Sequence, residues 1–433
     1  MKKIWFLCLA FLLAMPAAAQ KEYGLRFSNL INDELTLENA IRIGLENNSD
    51  FLLAQQEVII AEQKVTQAKF LFFPQFALQG TATWYDLDYP MVLPESVANR
   101  LIPNNDSQPA GDKHQFFGVG ISGTQYLYSG GRIRGALKMA EANLKQVQSK
   151  YESVKNAVVL DIKKSFFQLL YAQNLLELSR QIDHKAQRYA RTLSVSSWDK
   201  IKAQYVLSKL YSQKNIASNE LQKAQLAMLV SLNKELNSPV KVKGDFQPLE
   251  LKLDFASLNL WSMEFRPELK AAIYALELDN LAIDLALSRR YPDLVLTGSY
   301  ERLGNENLDD ENKQISLAVR LPLPYNVATQ TSQRKAEQKQ STLRRAAMED
   351  KIRVQVAESY SNLLFWQQEV LARQNTWQQV QKMLTQTENT ARINLAALEA
   401  LDIYYLSGKD YYQSILHNLT SKASLEWAIG RDL

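Results

Sequence analysis

Residues 74–80 read Pro-Gln-Phe-Ala-Leu-Gln-Gly, and residues 292–298 read Pro-Asp-Leu-Val-Leu-Thr-Gly. The two stretches lie 218 positions apart (292 − 74), and the same offset separates the segments that begin at Asn48 and Arg266 (266 − 48). In both halves a helix-length segment ends at a proline and is followed by alternating apolar and polar residues. This agreement at a fixed spacing indicates the tandem duplication of one helix–strand unit.

After each proline the apolar residues recur at every second position, as in a strand with one apolar and one polar face. A second alternating run follows in each half, so we predict β-hairpins at about residues 74–128 and about residues 292–323, with loops at 86–114 and 301–313. Such strands are typical of an outer-membrane β-barrel, although a soluble β-sandwich gives the same alternation. Aromatic residues suited to a membrane girdle lie near the predicted strand ends, at Trp84, Tyr85, Tyr126, Tyr128 and Tyr300.

The predicted number of strands has a consequence for assembly. Four strands cannot close a barrel alone, because lipid would leave the backbone groups of both sheet edges without hydrogen-bond partners. If these strands lie in a membrane, several copies of the chain must therefore associate.

Two stretches, residues 136–238 and 325–407, contain neither glycine nor proline and predict long helices. A helix over residues 132–193 would be on the order of 90 Å long at ~1.5 Å per residue. Its apolar residues first recur in steps of three and four, as in a coiled coil, and their phase shifts at Ile162. We therefore expect it to contact more than one neighbour, the alternative being a simple two-stranded coiled coil. The regular part of the pattern consists of Leu137, Ala140, Leu144, Val147, Tyr151, Val154 and Val158.

Another helix is predicted before the first strand of each half. In the first half it begins after the N-cap residue Thr36 and continues to Phe72. In the second half the capping residue is Asp254, at the same offset (254 − 36). The local capping chemistry is therefore expected to be shared by the two halves.

The N-terminus has the pattern of a secretory signal peptide, which we predict at residues 1–19. Lys2 and Lys3 precede an apolar run, and the only cysteine, Cys8, lies inside that run, so we expect neither a disulfide framework nor a lipid anchor. The other predicted regions are a first repeat at 20–238 with a helical hairpin at about 132–236, a connecting segment at 239–261, and a second repeat at 262–433 with a helical hairpin at about 326–430.

Charge and composition favour few kinds of chemistry. The formal charge of +4 falls to about +2 without Lys2 and Lys3 (4 − 2), too little to indicate nucleic-acid binding. Residues 118–123 match a dinucleotide-binding pattern, but they fall inside a predicted strand. The histidines, His114, His184 and His417, are dispersed, so we expect no metal site, no cofactor and no enzymatic activity.

The regions where the long helical stretches reverse contain the candidate functional residues. Asp199, Glu399 and Asp402 are acidic residues that would recur around the narrow end of an oligomeric ring and favour the passage of cations. The alternative is that Asp199 is an N-cap and Asp402 a solvated helix charge. The predicted reversal loops consist of Ser194, Val195, Ser196 and Ser197 in the first half, and of Leu395, Ala396 and Ala397 in the second.

One more candidate lies in the predicted sheet. Arg320 falls at a polar position of the last strand, so we expect its side chain to face the lumen of the barrel. This assignment depends on strand parity, which a single β-bulge would reverse.

Taken in order, six short motifs resemble the TolC-like outer membrane efflux proteins over nearly the whole exported chain. They are residues 37–40 with 47–50 (LENA and NNSD), 74–80 (PQFALQG), 130–132 (GGR), 266–269 (RPEL), 292–298 (PDLVLTG) and 321–323 (LPL). Of the family's acidic tip residues, Asp199 and Asp402 carry over, whereas Leu193 and Ala396 stand where the family usually has glycine.

The resemblance implies a mainly α-helical fold with a membrane β-barrel contribution. Proteins of this family are homotrimers in which each protomer gives four strands to a shared twelve-stranded β-barrel, and long antiparallel coiled-coil helices form a periplasmic α-barrel. The implied partners are a periplasmic adaptor (membrane fusion) protein, an inner-membrane transporter such as a resistance-nodulation-division pump, and outer-membrane lipid. The reversal loops would be the sites at which the adaptor docks.

We therefore expect an outer-membrane exit duct of a tripartite efflux or secretion system that conducts its substrates passively. Drug efflux, metal-ion export and type I secretion all fit such a duct. One alternative is a periplasmic adaptor or scaffolding coiled-coil protein, which would not need four strands. A metal-dependent periplasmic hydrolase is a second alternative, and it requires a bound metal.

Overall fold

The computed structural model describes residues 35–85, 114–192, 197–304, 308, 310–323, 325–389 and 395–433. The predicted signal peptide and the predicted loop at residues 86–113 lie outside these ranges. The first half contains α1 (Leu37–Asn47), α2 (Ser49–Phe70), β1 (Gln75–Tyr85), β2 (His114–Ser129), α3 (Arg132–Thr192) and α4 (Ser197–Ser231). The second half contains α5 (Phe255–Phe265), α6 (Pro267–Ser288), β3 (Asp293–Gly304), β4 (Asp310–Arg320), α7 (Val327–Asn389) and α8 (Leu395–Ile429).

The two halves repeat the same elements in the same order. Helices α1 and α5 each have 11 residues, α2 and α6 each have 22, and α4 and α8 each have 35. The starts of α1 and α5, of α2 and α6, and of β1 and β3 are all separated by 218 positions (255 − 37, 267 − 49 and 293 − 75). The predicted fold class is confirmed: a mainly helical chain with an internal duplication and a four-stranded antiparallel sheet.

Both predicted N-caps are present. The Thr36 hydroxyl accepts a hydrogen bond from the backbone N–H of Asn39 at 3.4 Å, and the Asp254 carboxylate accepts one from Ser257 at 3.1 Å. Each bond satisfies a backbone donor in the first turn of a helix, which is why such residues begin helices.

The prediction of one continuous helix from Thr36 to Phe72 is wrong. Asn48 has an extended backbone and separates α1 from α2. The second half breaks at the matching position, Arg266, where the following Pro267 disfavours a helical conformation. The break in the first half has no proline. The helical spacing of apolar residues continues across it, so the sequence predicted one uninterrupted helix.

The sheet has the order β1-β2-β3-β4, and all its neighbouring strands are antiparallel. The predicted acidic loop at residues 301–313 is too long, since β3 continues to Gly304 and β4 begins at Asp310. Glu311 explains the extension, because it lies 3.2 Å from both Arg302 and Lys313. The Arg302–Glu311 pair joins β3 to β4, and the Lys313–Glu311 pair lies within β4, so these charged residues are accommodated in the strands.

The described residues form two compact units. The first draws on those within 35–49, 161–248 and 369–420, and its core includes Leu175, Ile182 and Leu401. The second draws on residues 50–160, 249–368 and 421–433, contains the sheet, and has a helical core that includes Leu258 and Ile352. None of the helices in the described residues is long and apolar enough to cross a membrane.

The predicted change of apolar phase along α3 corresponds to a change in burial. Ile162, Phe166 and Leu169 are at most 1% exposed. The regular pattern before them is mostly half-buried, from Leu137 to Val154. The shifted part therefore contacts several helices of the first unit, as expected for a helix with more than one apolar stripe.

Candidate functional site

One face of the sheet is apolar and open. The antiparallel register places Phe76, Gly123, Gly298 and Ile315 in one row across the four strands. Phe76 is 73% exposed and Ile315 is 86% exposed, and Leu317 on the same face is 62% exposed. An apolar surface of this extent marks a site of contact with lipid or with another protein.

The opposite face of the sheet is polar and close-packed. Gln79 donates a hydrogen bond to Glu301 at 2.9 Å. Gly118 and Gly120 make room for these side chains, since a Cβ atom added to Gly120 would lie 2.7 Å from Cγ of Glu301. The glycines that match the dinucleotide pattern are therefore wall residues of β2, as their position in a strand indicated.

Arg320 is the last residue of β4 and lies opposite Asp293 in the register. It shares the polar face with Gln314 and Ser316, and its side chain is exposed. The strand parity used in the sequence analysis therefore agrees with the register, whereas the role of Arg320 in a lumen stays a prediction.

The sheet has two open edges within the described residues. β1 pairs only with β2, and β4 pairs only with β3. Because neighbouring strands are antiparallel, β1 and β4 run in opposite directions. The β4 edge of one chain can therefore continue the same antiparallel pattern with the β1 edge of another chain.

Among the predicted tip carboxylates, Asp402 is paired. Its Oδ2 atom lies 2.5 Å from Nζ of Lys209, and its Oδ1 atom accepts a hydrogen bond from Gln213 at 3.0 Å. The Asp402 side chain is only 15% exposed, and its hydrogen bond raises the pKa of Lys209 above the usual value. The Asp402 carboxylate is thus neither an unpaired gate charge nor a fully solvated helix charge. It connects α8 to α4 within the first unit.

Lys209 and Gln213 are the functional candidates that the sequence analysis missed. Lys209 and Asp402 are 193 positions apart, and no local motif connects them. Tyr405, one helical turn after Asp402, is buried, and burial followed by the charges of Glu220 and Asp402 raises its pKa to about 12. The tyrosine is therefore neutral beside the paired carboxylate at physiological pH.

The other acidic candidates lie on helices. Asp199 is in the first turn of α4 and is partly exposed, and Glu399 is exposed on α8. Neither the candidate gate role of Asp199 nor that of Glu399 is tested by this geometry. Both stay predictions.

The predicted reversal loop at Leu395, Ala396 and Ala397 is wrong, because these residues form the first turn of α8. Leucine and alanine are strong helix formers, and the segment contains no glycine or proline to stop the helix. Ala397 is 1% exposed and lies in the core of the first unit, whereas Ala396 is exposed. In the first half, Ser197 already begins α4, and residues 194–196 lie outside the described ranges.

The described residues contain no group of three or more His, Cys, Asp or Glu side chains that could hold a metal ion. His184 is exposed and His417 is partly buried, on helices α3 and α8. Within the described residues, the candidate site therefore consists of an exposed sheet and the ends of the long helices.

Residues 40–194 match the family model described as outer membrane efflux protein. A search of curated protein sequences gave no significant match. The matched range covers most of α1, all of α2, β1, β2 and α3, and ends before α4.

Solved structures extend the likeness to most of the chain. The open state of the MtrE outer membrane channel of Neisseria gonorrhoeae has a TM-score of 0.74 at 15% identity, covering 91% of this chain and 89% of that one. The CmeC outer membrane channel of Campylobacter jejuni has a TM-score of 0.71 at 14% identity, with coverages of 91% and 85%. The outer membrane protein VceC of Vibrio cholerae has a TM-score of 0.70 at 15% identity, with coverages of 92% and 96%.

These matches bear on several predictions at once. The family model is described as an outer membrane efflux protein, and the matched structures are of channels that share this fold. The expected location in the outer membrane, with a large periplasmic helical part, agrees with these matches and stays part of the proposal below. The resemblance to the TolC-like outer membrane efflux protein family, predicted from the sequence, is confirmed by the family match and by the shared fold.

Proposed function

We propose that the protein is the outer-membrane exit duct of a tripartite efflux or secretion system, and that it works as a homotrimer. The observation that carries this proposal is the sheet: it has an exposed apolar face, a polar face and two open edges of opposite direction. A barrel wall needs all of these features.

Three copies would supply twelve strands. A barrel of about eight strands is filled by its own side chains, and more strands are needed to leave an open lumen. Pairing β4 of each copy with β1 of the next closes the sheet and satisfies every backbone group at the edges. The polar face, with Gln79, Glu301 and Arg320, would then line the lumen.

The duct would conduct substrates passively. An inner-membrane transporter, for example of the resistance-nodulation-division type, would supply the energy, and a periplasmic adaptor would join it to the ends of the helical hairpins. Residues 194–197 and the exposed Ala396 are the proposed contacts with the adaptor. The selectivity of such a conduit depends on its diameter and on the charges along its wall.

The Asp402 cluster would act as a closing contact in this duct. Asp402 accepts hydrogen bonds from Lys209 and Gln213, which holds the start of α8 against α4. Opening would require these bonds to break or to be exchanged for bonds with water. Asp199 and Glu399 would contribute negative charge to the same end of the duct.

Membrane fractionation tests the proposed function directly. We expect the protein to remain in the outer-membrane fraction after washing with salt and carbonate, and to migrate as an oligomer on gels unless it is heated. A periplasmic adaptor or scaffolding coiled coil would be released by the wash and would migrate identically with and without heating. Release by carbonate would therefore contradict the proposal.

A further inference from the structure

Exposed apolar side chains mark the four places where a helix joins a strand. Phe73, before β1, is 61% exposed, and Tyr128, at the end of β2, is 49% exposed. Tyr291, before β3, is 55% exposed, and Leu323, after β4, is 86% exposed. Aromatic side chains with one apolar and one polar end are enriched at membrane–water interfaces.

Direct contacts connect the first three of these junctions. Gln125 of β2 donates a hydrogen bond to the carbonyl oxygen of Phe72 at 3.2 Å, which joins the first junction to the second. Gly130 has a φ of +60° and approaches Tyr291 so closely that an added Cβ would lie 2.7 Å from Cβ of that tyrosine. This contact joins the second junction to the third.

A hydrogen bond of 2.9 Å from Arg289 to Gln330 joins the third junction to the fourth. The residues between the elements therefore form one continuous surface at one end of the sheet. Its exposed side chains can meet a single partner.

The charge of this surface is almost entirely positive. Lys69, Arg134, Arg289 and Arg290 are exposed and lie at or within a few residues of the junctions. Asp293 is the only acidic residue of the junction segments at 66–75, 126–135, 286–293 and 321–331, and it is buried in an ion pair with Arg132. We call the four exposed cations, together with Phe73, Tyr128 and Tyr291, the junction collar.

The junction collar lies at the boundary of the apolar face. On β3 this face extends from Leu294 to Tyr300, which is about 20 Å at ~3.3 Å per residue. Beyond Tyr300 the same face carries Arg302, which pairs with Glu311 at 3.2 Å. The apolar band is thus bounded by an ion-paired end on one side and by the unbalanced cations of the junction collar on the other.

We propose that the junction collar binds the anionic headgroups of the phospholipid leaflet on the helical side of the membrane. This inference rests on the proposed function, because it requires the sheet to lie in a bilayer. Basic residues near an anionic surface attract its lipids, and aromatic residues at the same level insert their apolar rings below the headgroups. Each cation is expected to favour anionic over zwitterionic lipid roughly fivefold, the equivalent of ~1 kcal/mol.

Lipid retention by the full-length protein tests this proposal. Delipidated protein in a neutral detergent is mixed with micelles that contain phosphatidylglycerol or phosphatidylcholine, and the bound lipids are counted by native mass spectrometry. We expect retention of phosphatidylglycerol, and inorganic phosphate should not displace it. Equal retention of both lipids, or displacement by inorganic phosphate, would overturn the proposal.

The variants change exposed cations of the junction collar and leave its aromatic side chains in place. Changing Lys69, Arg134, Arg289 and Arg290 to glutamine should abolish the preference for phosphatidylglycerol. Changing the three arginines to lysine should preserve it.

Glutamine at four exposed cations of the first unit is the control, and it should also preserve the preference. These cations are Arg180, Arg188, Lys200 and Lys202. An equal loss in this control would show an effect of net charge alone and would contradict a localised collar.

The readouts separate the two proposals. If the collar inference alone is wrong, the protein still fractionates with the outer membrane as a heat-sensitive oligomer but shows no lipid preference. If the proposed function is wrong, carbonate releases the protein and the oligomer is absent.

Discussion

The two halves of the chain have the same elements but join them by different chemistry. In the first half, Asn233, just after α4, donates a hydrogen bond of 2.9 Å to the carbonyl of Asn47 at the end of α1, and Leu35, just before α1, forms a backbone bridge with Val242. In the second half, the buried guanidinium of Arg266 donates to the carbonyls of Trp427 and Ala428 at 3.0 and 3.2 Å, at the end of α8. Duplication has therefore kept the lengths of three of the four helices of each half and replaced the contacts that hold their ends.

This difference separates properties that depend on local sequence from those that depend on distant partners. Helix length and capping are local, and they match in both halves. The bonds at the helix ends connect distant parts of the chain, and they differ. Substitutions at matched positions should therefore have unequal effects on stability.

Arg266→Ala should give the largest loss in the free energy of unfolding. Arg266 is 3% exposed, pairs with Glu268 at 2.9 Å and donates to Gln355 at 3.0 Å. Its loss leaves a partly buried carboxylate and two helix-end carbonyls without their donor, which should cost about 3 kcal/mol of the free energy of unfolding. Chemical denaturation of the purified protein followed by circular dichroism measures this quantity.

Asn48→Ala, at the matching position, is the control for Arg266→Ala. Asn48 is the C-cap of α1, and its side chain is half-buried and uncharged, so we expect a loss below about 1 kcal/mol. Equal losses for the two variants would mean that the halves are joined in the same way after all.

A tighter comparison concerns Gly44 and Ser262, which occupy matched positions (262 − 44 = 218) where small side chains are buried. A Cβ added to Gly44 would lie 2.3 Å from Cδ1 of Ile162, so Gly44→Ala should destabilise by about 1–3 kcal/mol. Ser262→Ala should cost less, about 1 kcal/mol, because its hydroxyl donates to a carbonyl of its own helix.

A double-mutant cycle checks the cause of the Gly44 effect. Ile162→Val removes Cδ1, so combining it with Gly44→Ala should recover part of the lost free energy of unfolding. Strict additivity of the two substitutions would rule out the steric explanation.

The ends of the two hairpins differ in a smaller way. Asp402 on α8 is paired with Lys209. Because α4 and α8 start 198 positions apart (395 − 197), the matching position on α4 is Gln204 (402 − 198), which is exposed. Asp402→Asn should destabilise by only about 0.5–1 kcal/mol, because Lys209 is 41% exposed and solvent screens the pair. It should also increase the entry of a large antibiotic, measured as growth inhibition.

Glu399→Gln is the control for Asp402→Asn, since Glu399 is exposed on the same helix. It should leave antibiotic entry unchanged. Increased entry in both variants would argue that total negative charge, and not the bond to Lys209, closes the duct.

The smallest expected effect on stability is a difference in pH dependence between the two N-caps. The backbone hydrogen bond from Ser257, followed by its hydroxyl, lowers the pKa of Asp254 below its usual 3.8, whereas Thr36 does not titrate. A lowered folded-state pKa means that this stabilisation is complete above pH 3.8 and is lost as the pH falls through the folded-state value.

The difference in Tm between wild type and Asp254→Asn should therefore shrink on acidification below that pH. The difference for Thr36→Ala should stay constant. Parallel behaviour of the two variants would contradict the assigned cap chemistry.

The sequence was sufficient for features that depend on near neighbours. The matched prolines, the period-two runs and the caps at Thr36 and Asp254 predicted the strands and the helix starts. The glycine pair at residues 130 and 131, part of the GGR motif, has φ of +60° and +82° and forms the turn into α3. Each of these signals acts within a few residues.

The errors arose where local signals were weak or partners distant. The break at Asn48 lacks the proline that marks its counterpart, and the segment at Leu395 has strong helix formers where a loop was predicted. The partners of Asp402 and Arg266 lie 193 and 161 positions away, so no motif could reveal them. The candidate site was therefore located by sequence, whereas its pairing required the structure.

The central claim is that β4 of one copy pairs with β1 of another, and disulfide cross-linking tests it most directly. Cys8 is the only native cysteine, so the introduced cysteines compete with few other thiols. Cysteines at Ala77 or Gln79 of β1 combined with cysteines at Ser316 or Ala318 of β4 should give cross-linked dimers and trimers on oxidation. The control pair Thr124→Cys and Thr297→Cys, which is matched within one chain, should give none. Cross-linked oligomers from the edge pairs alone are the predicted result, and single chains from every edge pair would contradict the account.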